Sequence, residues 1–210
     1  MIIGNPSTWV KHFQDIHIQI VEIIRLIWPS CAGRFNPQSE ENKITDQLVL
    51  LLQRHPYSRK RWIIEPQHKL LDSDSNGDVV TKGFIDFVLF FTLDQEIYIA
   101  YECKRLNVQF PSGFQTLADK YVDEGVMRYV SAQYAQDLPF CVMIGYVLDS
   151  NTPKALDAVK RQIKSKTGKL LCTSPIELPS MSFIHRFSTV HDRSTQKIEI
   201  EHLFLPLQPT

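Results

Sequence analysis

The chain has 210 residues, 43% of them hydrophobic and 22% charged, which is enough apolar material for a sizeable core and excludes a disordered chain. Lysine plus arginine and aspartate plus glutamate both number 23, so no bulk positive field marks a general nucleic-acid binder, and any basic surface has to be local. Four scattered cysteines, Cys31, Cys103, Cys141 and Cys172, form no Cys-x-x-Cys pair, which argues against a zinc module or a disulfide framework and for a reducing compartment.

The opening MIIGNPSTWVKHF lacks a cationic start followed by an apolar stretch, and no run nears the roughly 18 apolar residues of a spanning helix. The expectation is a cytoplasmic protein with no membrane partner. From Trp9 to Trp28, Trp9, Phe13, Ile16, Ile20, Ile24 and Ile27 recur at spacings of three and four, which predicts an amphipathic helix ended by Pro29. Ser39 is the expected N-cap of a second helix reaching about Gln53, with Glu40 and Glu41 in its first turn. RWIIEP (61–66) predicts a short strand, and LLDSDSNGDVVTKG (70–83) a polar loop.

GFIDFVLFF and IYIAYECK are β-rich and separated by the turn TLDQE, so residues 84–104 predict a hairpin. A helix is expected over FQTLADKYVDEGVMRYVSAQYA, with Phe114, Leu117, Tyr121, Gly125, Tyr129 and Tyr134 on one face. PFCVMIGYVL predicts a fully buried strand. Thr152 as N-cap and Pro153 at the first helical position open a further helix closed by Gly168. SFIHRFS and QKIEIEHLFL complete the chain as strands. Together these elements predict an α/β fold, a mixed central sheet flanked by helices, in one domain over 1–210.

Alternation along the strand puts Glu102 and Lys104 on one face. If the hairpin is symmetric about Asp94, residues whose numbers sum to 188 face each other, which sets Asp86 opposite Glu102. A cross-strand salt bridge would explain an isolated Glu-x-Lys. Two carboxylates so close repel, however, and an ionised pair requires a compensating cation, for which Mg²⁺ with its preference for oxygen ligands is suited.

A helix bearing glutamate, three strands with Asp86 on the second and Glu102-Cys103-Lys104 on the third, then a helix and a fourth strand: this arrangement resembles the PD-(D/E)xK nuclease superfamily, the restriction-endonuclease-like fold with an αβββαβ core. Residues 39–147 supply that core; the first helix and the C-terminal α/β extension lie outside it. Ile85 stands where many relatives have proline. The resemblance implies that Asp86 and Glu102 are metal ligands together with the backbone carbonyl of Cys103, that Lys104 positions or activates water, and that Glu41, preferred here to Glu40, adds a helix carboxylate. The cofactor so implied is Mg²⁺ or Mn²⁺. The reaction is phosphodiester hydrolysis, with DNA preferred to RNA as substrate, and YVDEGVMRYVSAQYA, carrying Tyr121, Gly125 and Arg128, resembles helices of bacterial restriction and anti-phage nucleases. A homodimer or a partner protein of a defence complex would supply targeting.

The alternative from another class is a catalytically idle nuclease-fold subunit that binds nucleic acid or scaffolds a complex; a third reading is action on a tRNA or a nucleotide. RKRW (59–62) and KRQIKSKTGK (160–169) are candidate phosphate-contacting stretches or plain solvated surface. His185, His191 and His202, with Thr189 and Arg193, lie outside the core and read first as ordinary surface or core residues.

Overall fold

The computed structural model describes residues 6–194 and 196–209; the reading of the first residues as leader-free falls partly outside them. Helix α1 (Pro6–Ala32) is amphipathic as its spacing requires, and buries Phe13, Ile16, Ile20 and Ile24. Pro29 does not end it. The ring removes only one hydrogen bond, and a further turn then buries Cys31 and Ala32 and closes with the Gly33 amide on the Pro29 carbonyl at 3.1 Å. Trp28, just before that proline, is fully buried and donates from Nε1 to the Pro206 carbonyl at 2.7 Å.

Helix α2 (Glu41–Arg54) starts one residue later than expected, with Glu40 at the cap position. Ser39 is not its cap because its Oγ accepts from the Asn36 amide at 3.0 Å and closes the preceding turn. Strand β1 (Ile63–Ser73) and strand β2 (Val79–Phe90) absorb most of the segment expected as loop: Leu71 pairs with Thr81, Asp72 with Val80 and Ser73 with Val79. Only the turn at 74–78 remains. There the Asp74 carboxylate accepts from the Asn76 and Asp78 amides, and Gly77 takes a positive φ of 84°.

Strand β3 (Tyr98–Leu106) pairs antiparallel with β2 from Phe87↔Tyr101 to Phe90↔Tyr98, each pair summing to 188 as the symmetric hairpin demands. Strands β4 (Val108–Phe110) and β5 (Gly113–Gln115) form a small hairpin, so Phe114 belongs to a strand and not to the helix that follows. That helix is α3 (Ala118–Tyr121), a π-turn (Val122–Val126) and α4 (Met127–Val130), run together; Tyr134 lies beyond its end.

Strand β6 (Phe140–Val147) is buried along its whole length. Asn151, not Thr152, caps α5 (Thr152–Ser165), accepting from the Lys154 amide; Gly168 falls inside α6 (Thr167–Leu170) instead of closing α5. Strands β7 (Ile176–Met181), β8 (Ile184–Asp192) and β9 (Lys197–Pro206) complete a seven-stranded sheet in the order β1-β2-β3-β6-β9-β8-β7. β3, β6 and β9 are mutually parallel and the flanking pairs antiparallel.

The architecture is therefore α/β, a mixed sheet flanked by helices. Tyr101 and Tyr146 face α1, where they meet His17 and Trp28. Met143 and His202 point the other way, toward Gly125 and Tyr121. Among the described residues no helix is long and apolar enough to cross a membrane.

Candidate functional site

Main-chain pairing between β2 and β3 is registered as far as Phe87↔Tyr101. At the next position the Asp86 side chain takes over: its Oδ2 accepts the Cys103 amide proton at 2.6 Å. The Asp86 carboxylate is thereby pinned beside β3. Burial pushes its pKa up, opposed by Lys104 and by the Cys103 amide.

Glu102 lies on the same face and is only 1% exposed. Its Oε1 accepts from Lys104 Nζ at 2.8 Å and from Arg128 Nη1 at 2.7 Å. Its Oε2 is buried and has no hydrogen-bond partner. Burial, then the charge of Asp86, raise the Glu102 pKa to about 7 despite the two cations.

Lys104 keeps its place in β3, paired with Gly145 of β6, and its Nζ also reaches the Cys103 carbonyl at 2.9 Å and Glu41 Oε1 at 3.3 Å. Burial works against its charge, but Glu102, Glu41 and Asp86 more than offset it and lift its pKa above the ordinary lysine value. It is an ammonium at neutral pH.

Glu41 is the first residue of α2. Its Oε2 accepts from the Arg105 amide at 2.8 Å, so the carboxylate fastens the start of the helix to the end of β3. Glu40 instead pairs with Lys43 on the surface. Asp86, Glu102, Lys104, Glu41 and the Cys103 carbonyl thus form one hydrogen-bonded group. The Cys103 thiol points to the opposite face, accepting from the Tyr146 hydroxyl at 3.3 Å.

Arg128 and Tyr134 belong to this group as well. Arg128 Nη1 contacts the Tyr134 hydroxyl at 3.1 Å, and that hydroxyl donates to the Phe84 carbonyl at 2.8 Å. Helical spacing singled out Arg128, but its partner sits 26 residues away and periodicity carries no trace of the pair.

The other candidates lie elsewhere. RKRW follows the far end of α2, about 20 Å of helix away from Glu41. Within KRQIKSKTGK, Lys160 pairs with Glu177 and Lys166 with Asp123, and the stretch borders a cleft of about 520 Å³ that also includes Cys172. His191 and His202 are core residues in a buried chain: the Tyr121 hydroxyl meets His202 Nδ1 at 3.0 Å, His202 Nε2 meets Thr189 Oγ1 at 3.0 Å, Thr189 Oγ1 meets His191 Nε2 at 2.8 Å, and His191 Nδ1 meets the Leu170 carbonyl at 2.8 Å. A carbonyl only accepts, so with both rings neutral every proton is assigned: His191 carries its proton on Nδ1 and His202 on Nε2. Arg193 caps the Ala135 and Gln136 carbonyls, and His185 is half-buried on β8.

Among the described residues no three His, Cys, Asp or Glu side chains gather to hold a metal ion by themselves. The oxygens at hand are two carboxylates and a main-chain carbonyl, a set that suits a hard ion keeping several of its own waters. The orphaned Glu102 Oε2 is the atom with which such an ion fits best. Comparison with family models, with curated proteins and with solved structures gave no match to this chain.

Proposed function

We propose that the protein is a nuclease dependent on Mg²⁺ or Mn²⁺ that hydrolyses phosphodiester bonds, with DNA preferred to RNA. The observation that carries this reading is Glu102 Oε2, buried and unpartnered beside Asp86, on a carboxyl that two cations fail to bring down to an ordinary acidity. A divalent ion held by Asp86, Glu102 and the Cys103 carbonyl would relieve both carboxylates at once. Bound there, it would supply Lewis acidity and neutralise charge developing on the phosphoryl group.

The chain's own groups do the rest. The Cys103 amide fixes Asp86, and Glu41 and Glu102 aim the Lys104 ammonium, which donates to the attacking water or to a phosphoryl oxygen. Hydrolysis joins the water oxygen to phosphorus and breaks one ester P–O bond, leaving a phosphate monoester and a hydroxyl.

Incubated with Mg²⁺ or Mn²⁺, the protein should cleave plasmid DNA, single-stranded DNA or RNA, and EDTA should stop it. Asp86→Ala and Lys104→Ala should each slow cleavage by roughly a hundredfold or more. Undiminished activity in Lys104→Ala removes the role given to that lysine, and no cleavage of any of these nucleic acids by the wild type removes the reading.

A second reading has its own observation. Lys104 and Arg128 already supply two internal cations to Glu102 Oε1, which suits a nuclease-like subunit with an idle site acting as a binding or scaffolding partner. Calorimetric titration with Mn²⁺ separates the two, since the idle subunit gives no binding heat.

A further inference from the structure

Arg128 joins the buried carboxylate to the surface. Its side chain is 33% exposed where that of Glu102 is 1% exposed, and one nitrogen, Nη1, makes both of its hydrogen bonds, to Glu102 and to Tyr134. Nε and Nη2 have no partner among the described residues. A guanidinium held by one corner keeps its remaining donors in the fixed plane that matches two oxygens of a phosphate.

The support is built around that arrangement. The Tyr134 hydroxyl is tied to the Phe84 carbonyl at 2.8 Å, and the guanidinium carbon stands 5.3 Å from the Tyr134 ring centroid. Gly83 makes room for the ring: a Cβ there would sit 2.8 Å from both the hydroxyl oxygen and a ring carbon of Tyr134. On the helix, the π-turn Val122–Val126 precedes Arg128, and Gly125 within it lets the helix approach β6 so closely that a Cβ would lie 2.4 Å from Met143 Cε. Wide turns of this kind recur where a helix aims a side chain at a functional site.

Resting on the nuclease reading, we infer that Arg128 grips the two non-bridging oxygens of the phosphate to be cleaved through Nε and Nη2, while Nη1 stays on Glu102. Arg128 is on this account a substrate-contacting residue, with Tyr134 its positioning residue. The charges agree. Three carboxylates, Glu41, Asp86 and Glu102, face Lys104 and Arg128, and a divalent ion turns a deficit of one positive charge into an excess of one, matching a phosphodiester anion.

The test is binding of a fluorescein-labelled oligonucleotide, read by anisotropy with Ca²⁺ in place of Mg²⁺. One version carries ordinary phosphates, and another a single neutral methylphosphonate at the linkage that Mg²⁺ cleaves. Wild type should bind the neutral version roughly ten- to a hundredfold more weakly. Arg128→Ala should bind the ordinary version more weakly by a similar factor and show a clearly smaller further loss on the neutral one, the remainder belonging to the ion and Lys104, with Arg128→Lys between. Tyr134→Phe should weaken binding less and keep the methylphosphonate penalty. A melt followed by circular dichroism establishes that each variant is folded. An undiminished methylphosphonate penalty in folded Arg128→Ala, or binding equal to wild type, overturns the inference and leaves the nuclease reading standing. Failure of the wild type to cleave any nucleic acid overturns both.

Discussion

Burial and the neighbouring Asp86 push Glu102 up to about 7 from an ordinary 4.5, against the pull of Lys104 and Arg128. A carboxyl with a raised folded pKa holds its proton more tightly in the native state, so the stability it contributes is full below pH 4.5 and is lost as pH rises to about 7. His191 and His202, whose pKa values burial lowers, act in the opposite sense up to pH 6.5, so the raw stability curve mixes the two. Glu102→Gln isolates the first, because glutamine keeps an acceptor for Lys104 and Arg128 and cannot ionise. In urea titrations without divalent ions, the stability of this variant relative to wild type should grow between pH 4.5 and 7 by up to a few kcal/mol. A difference that stays flat over this range would mean that Glu102 is ionised there without strain. The shared face of Glu102 and Lys104 and the pairing of β2 with β3 about Asp94 were legible in the sequence because a strand's period of two and a turn of known centre set them. The ladder stops at Phe87↔Tyr101, however, and the Asp86 carboxylate meets the Cys103 amide, a side-chain contact that register alone does not give. The Arg128 contact was not legible either, since it depends on how a helix crosses the sheet.

At the scale of elements, hydrophobic period and turn chemistry marked the existence of each main helix and the central strands, and local competition among polar groups moved their ends. Ser39 is a good cap in isolation, yet Asn36 reaches it first. The segment 70–83 is polar enough to resemble a loop, but its residues pair with one another across a two-stranded extension, and exposure on both faces removes the apolar alternation by which a strand is recognised. β6 is the opposite case: every residue is buried, and its glycine has no spare volume. A Cβ on Gly145 would stand 2.6 Å from Leu106 Cδ1, with Tyr121 and Phe204 at 3.4 and 3.5 Å closing the other sides. Gly145→Ala should therefore destabilise the fold by about 1–3 kcal/mol, the cost of overpacking, measured as a shift in the urea midpoint at unchanged slope. An unchanged midpoint would show that Leu106 relaxes freely.

Across the whole molecule, the parts outside 39–147 brace the back of the strand that carries the site. His17 of α1 holds the Tyr101 hydroxyl through Nδ1 at 3.0 Å, directly behind Glu102. Its Nε2 lies 3.3 Å from Glu201 Oε1, too oblique for a hydrogen bond, and Arg186 Nε donates to that same oxygen at 2.7 Å. First helix, third strand and last two strands thus converge on one buried carboxylate. Burial alone would raise its pKa, but His17 and Arg186 outweigh that and hold Glu201 down to about 2. The sign is the reverse of that for Glu102: Glu201 stabilises the fold fully above pH 4.5, and that share is lost as pH falls toward 2. Arg186→Met leaves a buried carboxylate without its strongest hydrogen bond, which should cost about 3–5 kcal/mol at neutral pH and raise the acid-unfolding midpoint. Arg186→Met with Glu201→Gln should recover most of that loss, because the uncompensated charge, more than the missing contact, sets the cost. Because this network faces α1 while Glu102 faces Arg128, metal binding per folded molecule should stay at the wild-type value in both variants. A calorimetric change in Mn²⁺ affinity at full folding would show instead that the back of β3 sets the geometry of its front.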